Sequence, residues 1–557
     1  MKVAIIGAGA SGLASLKECL DEGIEPIVFE KEEYIGGLWK YSEKIGKGGT
    51  VYRSTIINTS KEIMGFSDFP VPKDFAPFMH NRSVIEYFEL YAKKFKLHQY
   101  IQFKTYVHDI RPAEDYIKSG RWNVTISHTE GTTTTRTTQT FDSVMICSGH
   151  HWDPRMPSFK GMDVFKGKQL HSHDYKDHQG FENDRVVVVG IGNSAVDVAC
   201  ELSHHCSQVY LSTRRGAWIF PRIGFGGTPF DFQFNRFVNM IPISIMKIIL
   251  EKYLNSRFDH DKYGLRPTHH TLAQQQTISD ELPVRIVCGS IKIKDDITCI
   301  GEHDIKFADG STETNIDTIV YGTGYKFGFP FMDSSIIEVK DNTCNLYKYI
   351  FPPDHMYATL AMVGFIQPTG GAIMPMAEMQ ARWITQVFTK KCQLPSQAEM
   401  LADIEKKRRE IADIYVKSPR HTMQVDYLEF MDELADLIGC KPNFLSIAFT
   451  DPKLALRCIF GPCTPSQFRL CGPHPWDGAK EAIRDTDRNF TAAIRTRQLK
   501  QTVEHKNRKV LMLLLEAAII PIAYLCYLKG DTIKANIIDA GEVLASLYHR
   551  VREIFLK

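Results

Sequence analysis

Two strand–glycine–helix turns in one chain constrain its fold more than any other feature. Gly7-Ala8-Gly9-Ala10-Ser11-Gly12 comes after the apolar run Val3–Ile6 and opens the stretch Leu13–Leu20. Gly190-Ile191-Gly192-Asn193-Ser194-Ala195 comes after Val186–Val189 and opens Val196–Leu202. A strand that turns on glycines into a helix leaves bare backbone N–H groups aimed at a pyrophosphate, and the helix N-terminus adds a favourable dipole. One such turn binds one dinucleotide. Two of them predict a pair of dinucleotides that exchange electrons. The expected class is α/β: two Rossmann-like dinucleotide-binding domains, an inserted helical segment and a C-terminal hydrophobic helix.

At 557 residues the chain has room for two or more domains. Its 43% hydrophobic and 24% charged content is that of a folded protein. A net charge of +2 without a long Lys/Arg block argues against a nucleic-acid partner. The 13 cysteines are scattered, contain no CxxC and offer no metal-ligand spacing, which suits a reducing compartment. The order of motifs divides the chain into a first nucleotide domain, 1–150 plus 326–500, and a second, 151–325. Arg121–Glu130 and the Thr-rich run Thr132–Thr140 read as an antiparallel excursion from the first.

The residues downstream of each turn tell the two sites apart. Glu30 ends the second apolar run of the first unit, where a carboxylate accepts ribose hydroxyls. Gly36-Gly37-Leu38-Trp39 comes next and allows backbone to approach a cofactor. The first candidate set is therefore Gly7, Ala8, Gly9, Ala10, Ser11, Gly12, Glu30, Gly37, Leu38 and Trp39. After the second unit's next strand stands Ser212-Thr213-Arg214-Arg215, with no acid. A phosphorylated ribose needs cations and hydroxyls, so this favours NADP over NAD; the plain alternative is two solvated arginines. The second set is Gly190, Gly192, Asn193, Ser194, Ala195, Val196, Asp197, Ser212, Thr213 and Arg214. FAD is assigned to the first site and NADPH to the second. No redox cysteine pair stands beside either unit, which points away from disulfide reduction and toward oxygen.

Phe165-Lys166-Gly167-Lys168-Gln169-Leu170-His171-Ser172-His173-Asp174-Tyr175 resembles the FxGxxxHxxx(Y/F) fingerprint of the flavin-containing monooxygenases. Further matching segments are Asn58–Glu62, Ser212–Trp218, Tyr321–Tyr325, Gln380–Trp383 and Phe460–Pro465. The resemblance covers about residues 1–500 and is strongest to the animal microsomal, N-oxide-forming dimethylaniline type. It implies an NADPH- and O2-dependent enzyme that oxygenates amines or sulfides through a C4a-hydroperoxyflavin. It also implies that Asn58 serves catalysis beside both FAD and NADP, with an amide that offers donor and acceptor. The alternatives are Baeyer–Villiger oxygenation of ketones, against which Tyr175 in place of Trp argues, and an NADPH oxidase releasing hydrogen peroxide. His171 is read as part of the hinge between the nucleotide domains rather than as a proton donor.

The same resemblance implies an endoplasmic-reticulum membrane partner, with the catalytic domains facing the cytosol. The apolar segment about 234–258 matches the family's membrane-contacting insertion, although a core or dimer-contact helix would read alike. Leu511–Leu528 is apolar and flanked upstream by His505, Lys506, Arg508 and Lys509, so residues 505–557 are expected to be membrane-associated. Glu516 and Pro521 leave a buried helix as the alternative. A homodimer is left open.

Overall fold

Val3-Ala4-Ile5-Ile6 and Val186-Val187-Val188-Val189 are apolar without alternation, the pattern of strands covered on both faces. In the computed structural model, which describes residues 1–45, 49–418 and 420–497, each becomes the central strand of a five-stranded parallel sheet. In the first sheet, Lys2–Ile6 lies between Glu25–Phe29 and Ser143–Ile146, with Ile101–Gln102 and Leu360–Met362 at the edges. In the second, Arg185–Val189 lies between Gln208–Ser212 and Thr318–Tyr321, with Ile291–Lys294 and Lys168–His171 outside them. In both sheets the chain leaves the central strand, forms a helix and returns on one side, while a later strand takes the other side. The glycine turns thus sit at the carboxyl ends of the strands, at the switch points where open α/β sheets bind ligands.

The predicted excursion is an antiparallel sheet of Thr105–Pro112, Trp122–Glu130 and Thr133–Phe141. Gly131, at φ +59°, makes the turn before the Thr-rich strand. Residues Met1–Ile494 form one compact unit; Arg495 onward forms a second, of which 495–497 are described. The predicted apolar helix Leu511–Leu528 lies outside the described residues. Among those described, no helix is long and apolar enough to cross a membrane.

The segment 234–258 is two helices rather than one. Arg236–Asn239 and Ile243–Arg257 are separated at Pro242, which has no N–H to continue the first. The longer helix buries Leu250 and Leu254 and leaves Ile243, Ile248 and Ile249 exposed.

The first nucleotide helix, Ala10–Asp21, packs on Ile373–Phe388, which is buried from Met374 to its end. A charge cluster fastens the two. Arg469 is fully buried and donates to Glu18 (2.5 Å), Glu378 (2.9 Å) and the hydroxyl of Ser67 (2.6 Å). Lys17 adds ion pairs to Asp68 and to Asp21 (2.7 Å). The Arg469 and Lys17 charges overcome burial and hold the Glu18 carboxyl down at about 2. Buried acids of this kind are tolerable only when paired.

Candidate functional site

The first turn is closed by backbone contact. Gly7 has φ +104°, and a Cβ added at Gly12 would stand 1.9 Å from the Gly7 carbonyl oxygen, so helix and strand meet with no room for a side chain. Gly9 caps the helix without any side-chain acceptor, leaving the first helical N–H groups for an anion. Gly36 N–H donates to the Ala8 carbonyl (3.0 Å) and brings Gly37 to Gly9, where a Cβ on Gly37 would lie 3.1 Å from the Gly9 Cα. Leu38 is exposed and Trp39 partly buried beside this approach. Glu30 is buried, and its two oxygens accept from the N–H groups of Ala8 (2.7 Å) and Glu32 (2.9 Å). Each oxygen keeps a second lone pair for a ribose hydroxyl. Burial raises the Glu30 carboxyl above its ordinary value while the two N–H donors oppose the shift. Ser11 faces Gly364, whose missing side chain leaves space for its hydroxyl. These features form a cradle of the kind a dinucleotide requires.

The second turn repeats the plan with different parts. Gly190 has φ +120°, and a Cβ there would stand 2.5 Å from the Gly322 carbonyl oxygen. Ala195 occupies the place that Gly12 holds in the first turn. Gly322 accommodates its methyl, since a Cβ on Gly322 would lie 2.5 Å from that of Ala195. Asn193 uses its side chain locally: Nδ2 donates to the Gln276 carbonyl (3.2 Å) and Oδ1 accepts from Ile278 N–H (2.7 Å). Ser194 is exposed, whereas Ala195 and Val196 are buried in the sheet-facing core. Ser212 donates to the Asp295 carbonyl (2.7 Å), and the Thr213 hydroxyl accepts from Gly216 N–H (3.1 Å). Arg214 and Arg215 are exposed at the strand's end.

Asn58 comes from a loop that leans on the second unit. Tyr52 donates to Asp197 (2.6 Å) and Ser54 to Glu201 (2.6 Å), both on the helix Asn193–Leu202. The carboxylate of Asp197 is thus an anchor for the Asn58 loop as well as a neighbour of the turn. Arg222 Nη2 donates to Asn58 Oδ1 (2.6 Å), and Asp280 accepts from Arg222 N–H (3.2 Å). With its carbonyl oxygen taken, Asn58 keeps its amide N–H groups, which donate to no side chain or carbonyl among the described residues. Asp231, just before the insertion, accepts Ser60 N–H (2.6 Å), and burial lifts its carboxyl to about 6. Lys61 is buried and donates to the carbonyls of Pro72 (3.2 Å), Lys73 (2.8 Å) and Phe75 (2.8 Å). Arg222 and Asp231 were not legible as site residues, because nothing in their sequence surroundings points to a loop more than 160 positions away.

The fingerprint residues include the edge strand Lys168–His171 of the second sheet and the segment that follows it. His171 ends its strand, accepts His173 N–H at Nδ1 (3.1 Å) and packs its ring against Tyr325, 5.3 Å between centroids. Burial pushes its pKa down to about 4, so the ring is neutral near pH 7. Tyr175 is fully buried between Tyr52 and Phe181.

Comparison with known proteins gives the family. Residues 1–529 match the family described as flavin-binding monooxygenase-like. The chain is 49% identical over 504 residues to flavin-containing monooxygenase 5 of Rattus norvegicus, covering 89% of this chain and 93% of that protein. It is 44% identical over 536 residues to flavin-containing monooxygenase 2 of Homo sapiens, covering 95% and 99%. In fold it resembles S-allyl-L-cysteine S-oxygenase from Allium sativum (TM-score 0.62, 24% identity, 88% of this chain and 98% of that one). It also resembles OTEMO in complex with FAD and NADP (TM-score 0.57, 16% identity, 81% and 98%). The chain belongs to the flavin-containing monooxygenase family and is an NADPH- and O2-dependent flavoprotein oxidoreductase that works with FAD.

Proposed function

We propose that this monooxygenase oxygenates soft nitrogen and sulfur nucleophiles, with FAD on the Gly7–Gly12 turn and NADPH on the Gly190–Ala195 turn. The domain division 1–150 plus 326–500 and 151–325 goes with that reading, and strand membership in the two sheets supports it. Bound flavin, reduced by the nicotinamide, supplies the chemistry with oxygen. The chain's own part is to hold, orient and keep out water. The observation that carries the reading is the Arg222–Asn58 contact. Arginine has no acceptor, so it fixes the Asn58 carbonyl toward itself and turns the amide donors the other way. Those donors are suited to hold oxygen as it takes up electrons. Glu30 serves the FAD ribose, and Arg214 the 2′-phosphate of NADPH.

No nucleophile–base pair is needed, because an amine or sulfide brings its own lone pair. Asn58→Ala is expected to retain FAD, release hydrogen peroxide from NADPH turnover and lose oxygenated product. Product formed with parent-level coupling, measured with a tertiary amine and a ketone side by side, would overturn the role. The ketone arm also decides whether Baeyer–Villiger oxygenation accompanies it.

The membrane partner is the endoplasmic-reticulum surface, with the catalytic unit on the cytosolic side. Met240, Ile243, Ile248 and Ile249 project from the insertion, and Leu445, Phe449 and Leu456 from the helices Phe444–Thr450 and Pro452–Phe460. The helix Arg236–Asn239 packs against the second of these, and Phe237 meets Phe460 at 5.1 Å. Exposed apolar groups of this number mark a surface that is covered in use. Met240→Glu with Phe449→Glu is expected to reduce flotation with phosphatidylcholine vesicles while leaving NADPH oxidation intact; unchanged flotation would remove this face from the account.

A further inference from the structure

Arg420 lies far along the chain from either glycine turn, between the helix Gln397–Ile414 and the strand Gln424–Asp426. Its segment is docked beside the second unit: Val416 N–H donates to the Ala273 carbonyl (2.9 Å) and Gln424 Nε2 to Gln275 Oε1 (2.7 Å). The guanidinium reaches the second phosphate turn. A Cβ added at Gly192 would stand 2.7 Å from Nη2, 3.5 Å from Cζ and 3.6 Å from Nη1 of Arg420. Gly192 has extended backbone, so what requires a glycine there is the room it leaves for this side chain.

The charge surroundings of Arg420 are unusual. No carboxylate pairs with it among the described residues, and the charged group that acts on it is Arg214, another cation. Burial and that repulsion together lower its pKa. The neighbouring His421 Nε2 is buried without a partner, and so is Nε2 of His269 nearby. A partly buried guanidinium facing a second cation carries a cost that an anion between them would relieve. Its planar fork matches two phosphate oxygens. An anion on the N–H groups of the turn at Gly192 would lie within reach.

We propose that Arg420 is a ligand of the nicotinamide dinucleotide, donating to its pyrophosphate over Gly192, so that a segment C-terminal to both sheets closes the nucleotide onto the second one. This rests on the assignment of the Gly190–Ala195 turn to NADP. The test is equilibrium binding of NADP+ and NAD+ to the oxidised, flavin-loaded enzyme. Arg420→Gln should weaken both by about 10- to 100-fold, the loss of one charge-assisted contact, with Arg420→Lys in between. Flavin content and melting temperature should stay at the parent's values. Parent-level NADP+ affinity in Arg420→Gln, with binding abolished in Gly192→Val, would overturn the proposal and leave the turn's assignment standing. Parent-level affinity in both variants would overturn the turn's assignment and the proposal with it. A loss restricted to NADP+ would refute the pyrophosphate contact in favour of the 2′-phosphate. A further arm needs no variant: saturating NADP+ should slow phenylglyoxal modification of Arg420 in the parent, read by mass spectrometry, and no protection refutes the contact.

Discussion

The two glycine turns meet one backbone requirement in two ways. In the first, the helix rests directly on the strand through Gly12, and the glycine lies within the turn itself. In the second, Ala195 fills that place and the missing side chain has moved to Gly322, on a different strand's end. Their anchoring differs too. The first helix is fixed by the buried Arg469–Glu18–Glu378 cluster; the second meets its neighbours through hydroxyl donors, Tyr52 to Asp197 and Ser54 to Glu201. Close contact on one side suits a prosthetic group that stays, and lighter fastening on the other suits a nucleotide that comes and goes.

The difference in anchoring is tested most severely at Arg469. Arg469→Met leaves Glu18 and Glu378 buried without a cation and is expected to cost about 3–5 kcal/mol, with loss of flavin. Tyr52→Phe, the matching cut in the second unit, is expected to cost about 1 kcal/mol. Denaturant unfolding of the flavin-loaded chain measures both, and equal costs would break the comparison.

Swapping the glycines is expected to give smaller changes. Gly12→Ala must displace backbone and should cost about 1–3 kcal/mol together with flavin affinity. Gly322→Ala should cost a similar amount together with NADP+ affinity, because its methyl collides with that of Ala195. Adding Ala195→Gly should restore the second defect and leave the first unchanged. Failure of that rescue in melting temperature and NADP+ binding would show that the two positions are not partners.

A pH-dependent effect is expected at Asp231, which meets the Asn58 loop through Ser60. Burial raises Asp231 from its ordinary 3.8 to about 6. Its favourable contribution is fully present below pH 3.8 and is lost as pH rises through about 6, since the ionised form is the one burial penalises. Asp231→Asn should therefore match the parent near pH 4 and exceed it by roughly 1–2 kcal/mol at about pH 8. Melting curves across pH check this; a gain in acid that vanishes in mild base would reverse the sign.

Much of the fold was legible because its signals are local. Apolar runs, glycine spacing and Glu30 lie within short stretches, and neighbouring residues alone dictate the strand, turn and helix they predict. The Thr-rich hairpin was legible for the same reason. Contacts made across the fold were not. Arg222 on Asn58, Asp231 on Ser60, Gly322 under Ala195 and Arg420 over Gly192 each join residues that have no shared sequence pattern. The insertion read as one apolar helix because its composition is continuous, although Pro242 divides it.

Lys61 carries a practical consequence. With its ammonium enclosed by three carbonyls, it is closed to acylating reagents and to trypsin for as long as the surrounding segment 72–75 stays in place. Covalent labelling at this one amine would then count opening events in the chain beside Asn58, and the same chemistry repeated with nucleotide present would measure how far occupancy suppresses them.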